Sequence, residues 1–105
     1  MTRLEFTDNI CTLIVWMISE GERPIIDFVK RSAEEQKRLF DLKLSKCDGE
    51  NKISGHQKGV AMDIYFLDDE GKKVVPPKKG FDYWHKKWEE FDGKPVIGWD
   101  KNHFE

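Results

Sequence analysis

The stretch "SGHQKGVAMDIYF", residues 54–66, sets the reading of the whole chain. A histidine lies in a glycine-flanked turn, and seven residues later an aspartate interrupts an apolar run: Val60, Ala61, Met62, Ile64, Tyr65, Phe66 and Leu67 surround Asp63. The run is short and rich in aromatic and branched side chains, so residues 60–67 read as the best strand in the chain. A carboxylate inside it is costly unless a positive or hydrogen-bonding group meets it. Its partner is therefore either structural or a metal ion.

Working outward, residues 7–20 read as a helix capped by Thr7 or Asp8, with Ile10, Leu13, Ile14, Met17 and Ile18 at helical spacing. Gly21 ends it and Pro24 blocks its continuation. "IIDFV", residues 25–29, suits a strand. Ser32 and Glu35 form the pattern of a capping box, predicting a second helix from about Ala33 to Leu42. Residues 43–55 are polar and aperiodic, which predicts a surface loop. After the central strand, "DDEGKK" is a turn into Val74-Val75, and Pro76-Pro77 stops further pairing. Phe81, Trp84, Trp88 and Phe91 share a helical face, so a third helix follows. "KPVIGW", residues 94–99, reads as a last strand running into "DKNHFE". The expected fold is a small single α+β domain over residues 1–105, with about three helices and a short, mostly antiparallel sheet.

The chain has 105 residues, enough for one modest core, and 38% of them are hydrophobic, which sets it apart from disordered chains despite its 36% charged residues. A net charge of −2 argues against a nucleic-acid partner. Cys11 and Cys47 lack C-x-x-C spacing and read as free thiols of a reducing compartment. The longest apolar run, Ile10 to Ile18, is too short to span a bilayer and makes a poor signal peptide. The chain is therefore expected to be cytoplasmic as synthesised, without membrane insertion, and monomeric.

Three histidines are available for a metal: His56, His85 and His103. Zinc takes about four N, O or S ligands, and a catalytic site leaves one position for water. Two histidines and Asp63, drawn from neighbouring strand ends, would meet that count. Asp100, three residues before His103, can point to the same place and serve as a base. Spacing alone leaves other readings open. Asp63 can cap a neighbouring backbone, and His85 competes as a ligand unless it packs against Trp88 or reaches solvent.

With those residues in view, a resemblance emerges. "SGHQKGVAMD" fits the S-x-H-x-x-G-x-A-x-D signature of the M15 zinc peptidases, the group of D-Ala-D-Ala carboxypeptidases and phage L-alanoyl-D-glutamate peptidases. "GWDKNHFE" resembles that family's closing D/E-x-x-H motif, and "VKRSAEEQKRLF" its R-S-x-x-x-Q segment. The resemblance implies a Hedgehog/D-Ala-D-Ala peptidase-like fold and one zinc ion held by His56, Asp63 and His103. It implies Asp100 as general base and Arg31 as the group that stabilises charge on the scissile carbonyl. Ser54 would contact substrate, Gln36 is a further candidate, and Trp99, beside Asp100, is a candidate wall of the substrate cleft. Gly59 would let the chain turn between the first two ligands.

The implied activity is zinc-dependent hydrolysis of a peptide bond in the peptidoglycan stem peptide, of the endolysin type that cuts L-Ala–D-Glu. A phage or prophage protein of this kind reaches the cell wall through a partner that opens the membrane. The alternatives are a D-Ala-D-Ala carboxypeptidase or dipeptidase, and a non-catalytic zinc module that binds without cutting.

Overall fold

The structure, a computed structural model, describes residues 1–27, 33–43 and 55–105. Helix α1, Arg3–Ser19, starts a turn earlier than the apolar spacing suggests. Thr2 rather than Thr7 or Asp8 caps it: its hydroxyl accepts the Glu5 N–H at 3.1 Å, and the Glu5 carboxylate accepts the Thr2 N–H at 3.2 Å. This reciprocal pair satisfies two donors that an uncapped helix leaves free. The earlier start adds Phe6 to the buried stripe of Ile10, Leu13 and Met17, whereas Ile18 stays 58% exposed.

Strand β1 is Pro24–Ile26, shorter than residues 25–29, and positions 28 and 29 lie outside the described residues. Helix α2, Ala33–Asp41, falls where the capping-box pattern puts it. Where a loop was expected to continue through residue 55, a single helical turn, α3, forms over Gly55–Lys58. It is closed by the Val60 N–H donating to the Gly55 carbonyl at 2.9 Å. Gly59 then takes φ +77°, a left-handed conformation that glycine adopts without steric cost, and redirects the chain into the central strand.

That strand, β2, is Met62–Leu67, and every other strand pairs with it antiparallel. Along one edge β1 sets Ile25 opposite Tyr65. On the other, β3 (Val74–Val75) takes the end of β2 with Phe66 opposite Val75. The start of β2 pairs with β4, His103–Phe104, which sets Met62 opposite Phe104 and Asp63 opposite His103. Between β3 and β4 lies helix α4, Phe81–Glu89. Four strands and four helices, one of them a single turn, make up the described residues.

The expected strand over residues 94–99 does not form. Ile97 and Asp100 instead bridge across a tight turn, closed by the Asp100 N–H on the Ile97 carbonyl at 2.9 Å. Pro95 has no N–H to give a ladder, and the turn moves pairing onward to His103 and Phe104. His103 thus lies within a strand rather than beyond one.

Side-chain alternation divides β2 between two tasks. Met62, Ile64 and Phe66 point into the core with Phe6, Ile10, Leu13 and Met17 of α1, Trp84 and Trp88 of α4, and Phe104 of β4. Asp63 and Tyr65 point to the opposite side. The core is aromatic-rich: Phe6 meets Trp88 edge-on at 5.6 Å between ring centroids. The pattern "MDIYF" is therefore an alternating strand, one face packed and one face chemical.

One buried carboxylate ties the turn after α1 to α4 and to the segment before it. Glu22, 4% exposed, accepts the Lys78 N–H at 2.7 Å, the Lys79 N–H at 3.0 Å and the Trp84 indole N–H at 2.6 Å. Removing the carboxylate leaves three donors without their acceptor, and each buried unsatisfied group costs about 1–3 kcal/mol. Glu22→Ala is expected to lower the unfolding free energy by about 3 kcal/mol, read by urea denaturation with tryptophan fluorescence. A loss below about 1 kcal/mol would mean that water replaces the carboxylate.

Candidate metal centre

Asp63 arrives on β2, His103 on β4 directly opposite it, and His56 on the one-turn helix α3. Asp63 Oδ1 lies 3.1 Å from His56 Nε2 and 3.3 Å from His103 Nδ1, and the two nitrogens are 3.0 Å apart. Three donor atoms thus form a nearly equilateral triangle. Metal–ligand bonds of about 2.0–2.1 Å at tetrahedral angles would space neighbouring ligand atoms about 3.3 Å apart, close to these edges.

Protons alone serve this triangle badly. The carboxylate only accepts, and two N–H groups both aimed at it would confront each other across 3.0 Å. A cation at the centre satisfies all three lone pairs at once. His56, Asp63 and His103 can therefore bind a metal ion.

The surroundings hold the ligands in place. Asn102, next to His103, clasps the backbone of Ile64, next to Asp63: its carbonyl accepts the Ile64 N–H at 2.8 Å and its side-chain amide donates to the Ile64 carbonyl at 2.8 Å. That pair of bonds fixes the register that sets Asp63 against His103. The far nitrogen of His103, Nε2, lies 2.9 Å from Glu105 Oε1, and Lys94 Nζ lies 2.8 Å from Glu105 Oε2. His56 is 3% exposed, and its Nδ1 has no hydrogen-bond partner among the described residues.

Charge in the metal-free site follows from these contacts. Burial works against the Asp63 carboxylate, but hydrogen bonds and positive charge from His103 and His56 outweigh it and hold its pKa well below the ordinary 3.8. Burial likewise disfavours the His103 imidazolium, yet its bonds to Asp63 and Glu105 and their charges raise it from 6.5 to about 9. The hydrogen bond from His103 holds Glu105 down at about 2 against its burial. The proton on His103 thus lies between two carboxylates, Asp63 and Glu105.

His85, the competing ligand, is buried but takes no part. Its Nε2 lies 2.6 Å from the Lys101 carbonyl, and its ring stacks on Phe104 at 4.1 Å, nearly parallel. It neither reaches solvent nor joins the triangle. Asp100 is half-buried, and its carbonyl accepts the His103 N–H at 3.2 Å. Burial first, then the charges of Asp63, Asp27 and Asp100, raise the Tyr65 phenol above its ordinary value. Trp99 is 63% exposed beside Asp100. Arg31 and Ser54 lie outside the described residues, as does the side chain of Gln36.

Sequence reasoning missed Glu105 and Asn102. Glu105 has a visible signal, since a residue two beyond a strand histidine projects to the same side. Asn102 has none, because its two hydrogen bonds to Ile64 exist only once the strands are paired.

No model of a known protein family matches the chain, and neither does any curated protein sequence. Among the described residues no helix is long and apolar enough to cross a membrane.

Two pH effects follow from His103. Its folded-state pKa lies above its unfolded value, so its contribution to metal-free stability is complete below about 6.5 and is lost as pH rises through about 9. The melting temperature of the metal-free protein is expected to fall across that window. Metal must displace the same proton, so metal uptake near pH 7.5 should release about one proton from His103, measurable by titration calorimetry in buffers of different ionisation enthalpy. Proton-neutral uptake there would show that His103 is unprotonated beforehand.

Proposed function

We propose that this chain is a zinc-dependent peptidoglycan peptidase of the M15 type, with the Hedgehog/D-Ala-D-Ala peptidase-like fold, cutting the L-Ala–D-Glu bond of the stem peptide as phage endolysins do. One observation carries the reading: the two histidines and the aspartate that the S-x-H-x-x-G-x-A-x-D and D-x-x-H patterns single out converge to 3.0–3.3 Å from segments 40 residues apart. Two imidazoles and one carboxylate are a donor set suited to zinc with a position left open. Bound there, zinc supplies Lewis-acid activation of water and of the scissile carbonyl near neutral pH.

The chain's own residues do the remaining work. Asp100, in the turn before His103, takes a proton from the attacking water on its carboxylate and passes it to the leaving amine. A positioned base of this kind contributes roughly 10²–10⁴-fold. Arg31 stabilises the charge that develops on the carbonyl oxygen, an interaction worth on the order of 3 kcal/mol in a dry site. Trp99 offers an exposed flat surface beside Asp100 against which a stem peptide can lie. His56, Asp63 and His103 hold fixed positions so that no reorganisation is needed as charge builds.

The test is digestion of purified peptidoglycan by zinc-loaded wild type and Asp100→Ala, with mass analysis of the released ends. The wild type is expected to generate new L-Ala and D-Glu termini, and Asp100→Ala to lose roughly 10²–10⁴-fold in rate while binding zinc equally. Release of free D-Ala alone would assign the carboxypeptidase branch instead. If both proteins bind zinc and neither cuts, the chain binds rather than hydrolyses.

A further inference from the structure

Glu105 touches more of this site than its position beside His103 suggests. Its backbone carbonyl accepts two bonds, from the Lys94 N–H at 2.7 Å and the Trp88 indole N–H at 3.0 Å. Its carboxylate divides between His103 Nε2 at 2.9 Å and Lys94 Nζ at 2.8 Å. The side chain is also packed against the opposite ligand segment. A methyl group placed on Gly55, the residue before His56, would collide with the Glu105 carboxyl carbon and both of its oxygens. Gly55 does not need its conformational freedom, because its backbone is not among the positive-φ positions. It is small because Glu105 occupies the space.

We infer that Glu105 is the positioning residue of the metal centre, a carboxylate wedged between α3 and β4 that fixes the His103 ring with Nδ1 turned to the metal and couples it to the segment carrying His56. This rests on the reading of His56, Asp63 and His103 as a metal site. A ligand histidine whose second nitrogen donates to a carboxylate is held in one tautomer and one orientation, and loss of such a partner typically costs about 10–100-fold in metal affinity. Lys94 anchors the other carboxylate oxygen, so the wedge cannot swing toward solvent without giving up an ion pair. Gly55 completes the device. Alanine there pushes the flexible end of Glu105 off His103 rather than striking rigid backbone.

The experiment measures affinity for zinc alone, by competition with a chromophoric chelator, and the visible spectrum of the cobalt-substituted protein. Glu105→Ala should weaken zinc binding by about 10–100-fold, and Glu105→Gln, which keeps an acceptor for the imidazole N–H, should recover most of that loss. Gly55→Ala should weaken binding by about tenfold in the wild-type background and by less than about twofold when Glu105 is already alanine, because the two share one space. Cobalt bands should shift in Glu105→Ala and return in Glu105→Gln. Unchanged affinity in Glu105→Ala, or an equal cost of Gly55→Ala in both backgrounds, overturns the inference. A Glu105→Ala protein that does not fold leaves Glu105→Gln and Gly55→Ala to decide it on the same scale. Wild type that takes up no zinc overturns the metal site itself, and this inference with it.

Discussion

The site depends on one pairing, Asp63 of β2 against His103 of β4. Strand side chains alternate with a period of two, so a slip of one residue would turn His103 away from Asp63 and send Phe104 out of the core. A two-residue strand has too few ladder bonds to resist such a slip unaided. Three residues supply the resistance. Asn102 grips both backbone groups of Ile64, Phe104 is locked among Trp88, Met62 and the ring of His85, and the Trp88 indole holds the Glu105 carbonyl. Packing on one side of the strand thus fixes chemistry on the other.

Three donor atoms aimed at one point put competing demands on the protons they share. Asp63 has lost most of its water, and the two imidazoles facing it cannot both present a proton without repelling each other. His103 relieves part of this by keeping a proton between two carboxylates, Asp63 and Glu105, which is why its pKa rises despite burial. A divalent ion answers the same need with twice the charge. The capacity for a metal ion and the shifted His103 stem from one arrangement, in which Glu105 contacts His103.

The core and the candidate metal ligands are legible in the sequence for different reasons. Residues 60–67 declare a strand by their short run of apolar, aromatic and branched side chains, and Trp84 and Trp88 declare a helix by their spacing, because each pattern reflects local geometry. His56, Asp63 and His103 were singled out by pattern, and the structure brings those residues together. What stayed hidden was non-local. The strand over residues 94–99 was suggested by local composition, but Pro95 and the turn at Ile97–Asp100 displace pairing to His103, an outcome set by what β2 can accept. The cap at Thr2 lies well before Ile10, where the apolar period first becomes obvious, although Phe6 already belongs to that period. Glu22 shows no signal in one dimension, since its three donors lie 56 to 62 residues away.

In a domain this small, an ion at the triangle would have a mechanical role. Helix α3 is one turn and β4 is two residues, and neither length is stable alone. They are joined across the sheet by the ligands themselves and by the Glu105 wedge. An ion bound at the triangle would cross-link the two segments to the start of β2, so its binding free energy becomes part of what keeps those segments folded. The same coupling runs in reverse. A ligand set built on fragile elements binds metal only as well as those elements are held, which places the burden on Asn102, Phe104 and Glu105. Substitutions at these three positions, none of them a ligand, therefore bear on the metal through the strand and turn that carry His103 and His56.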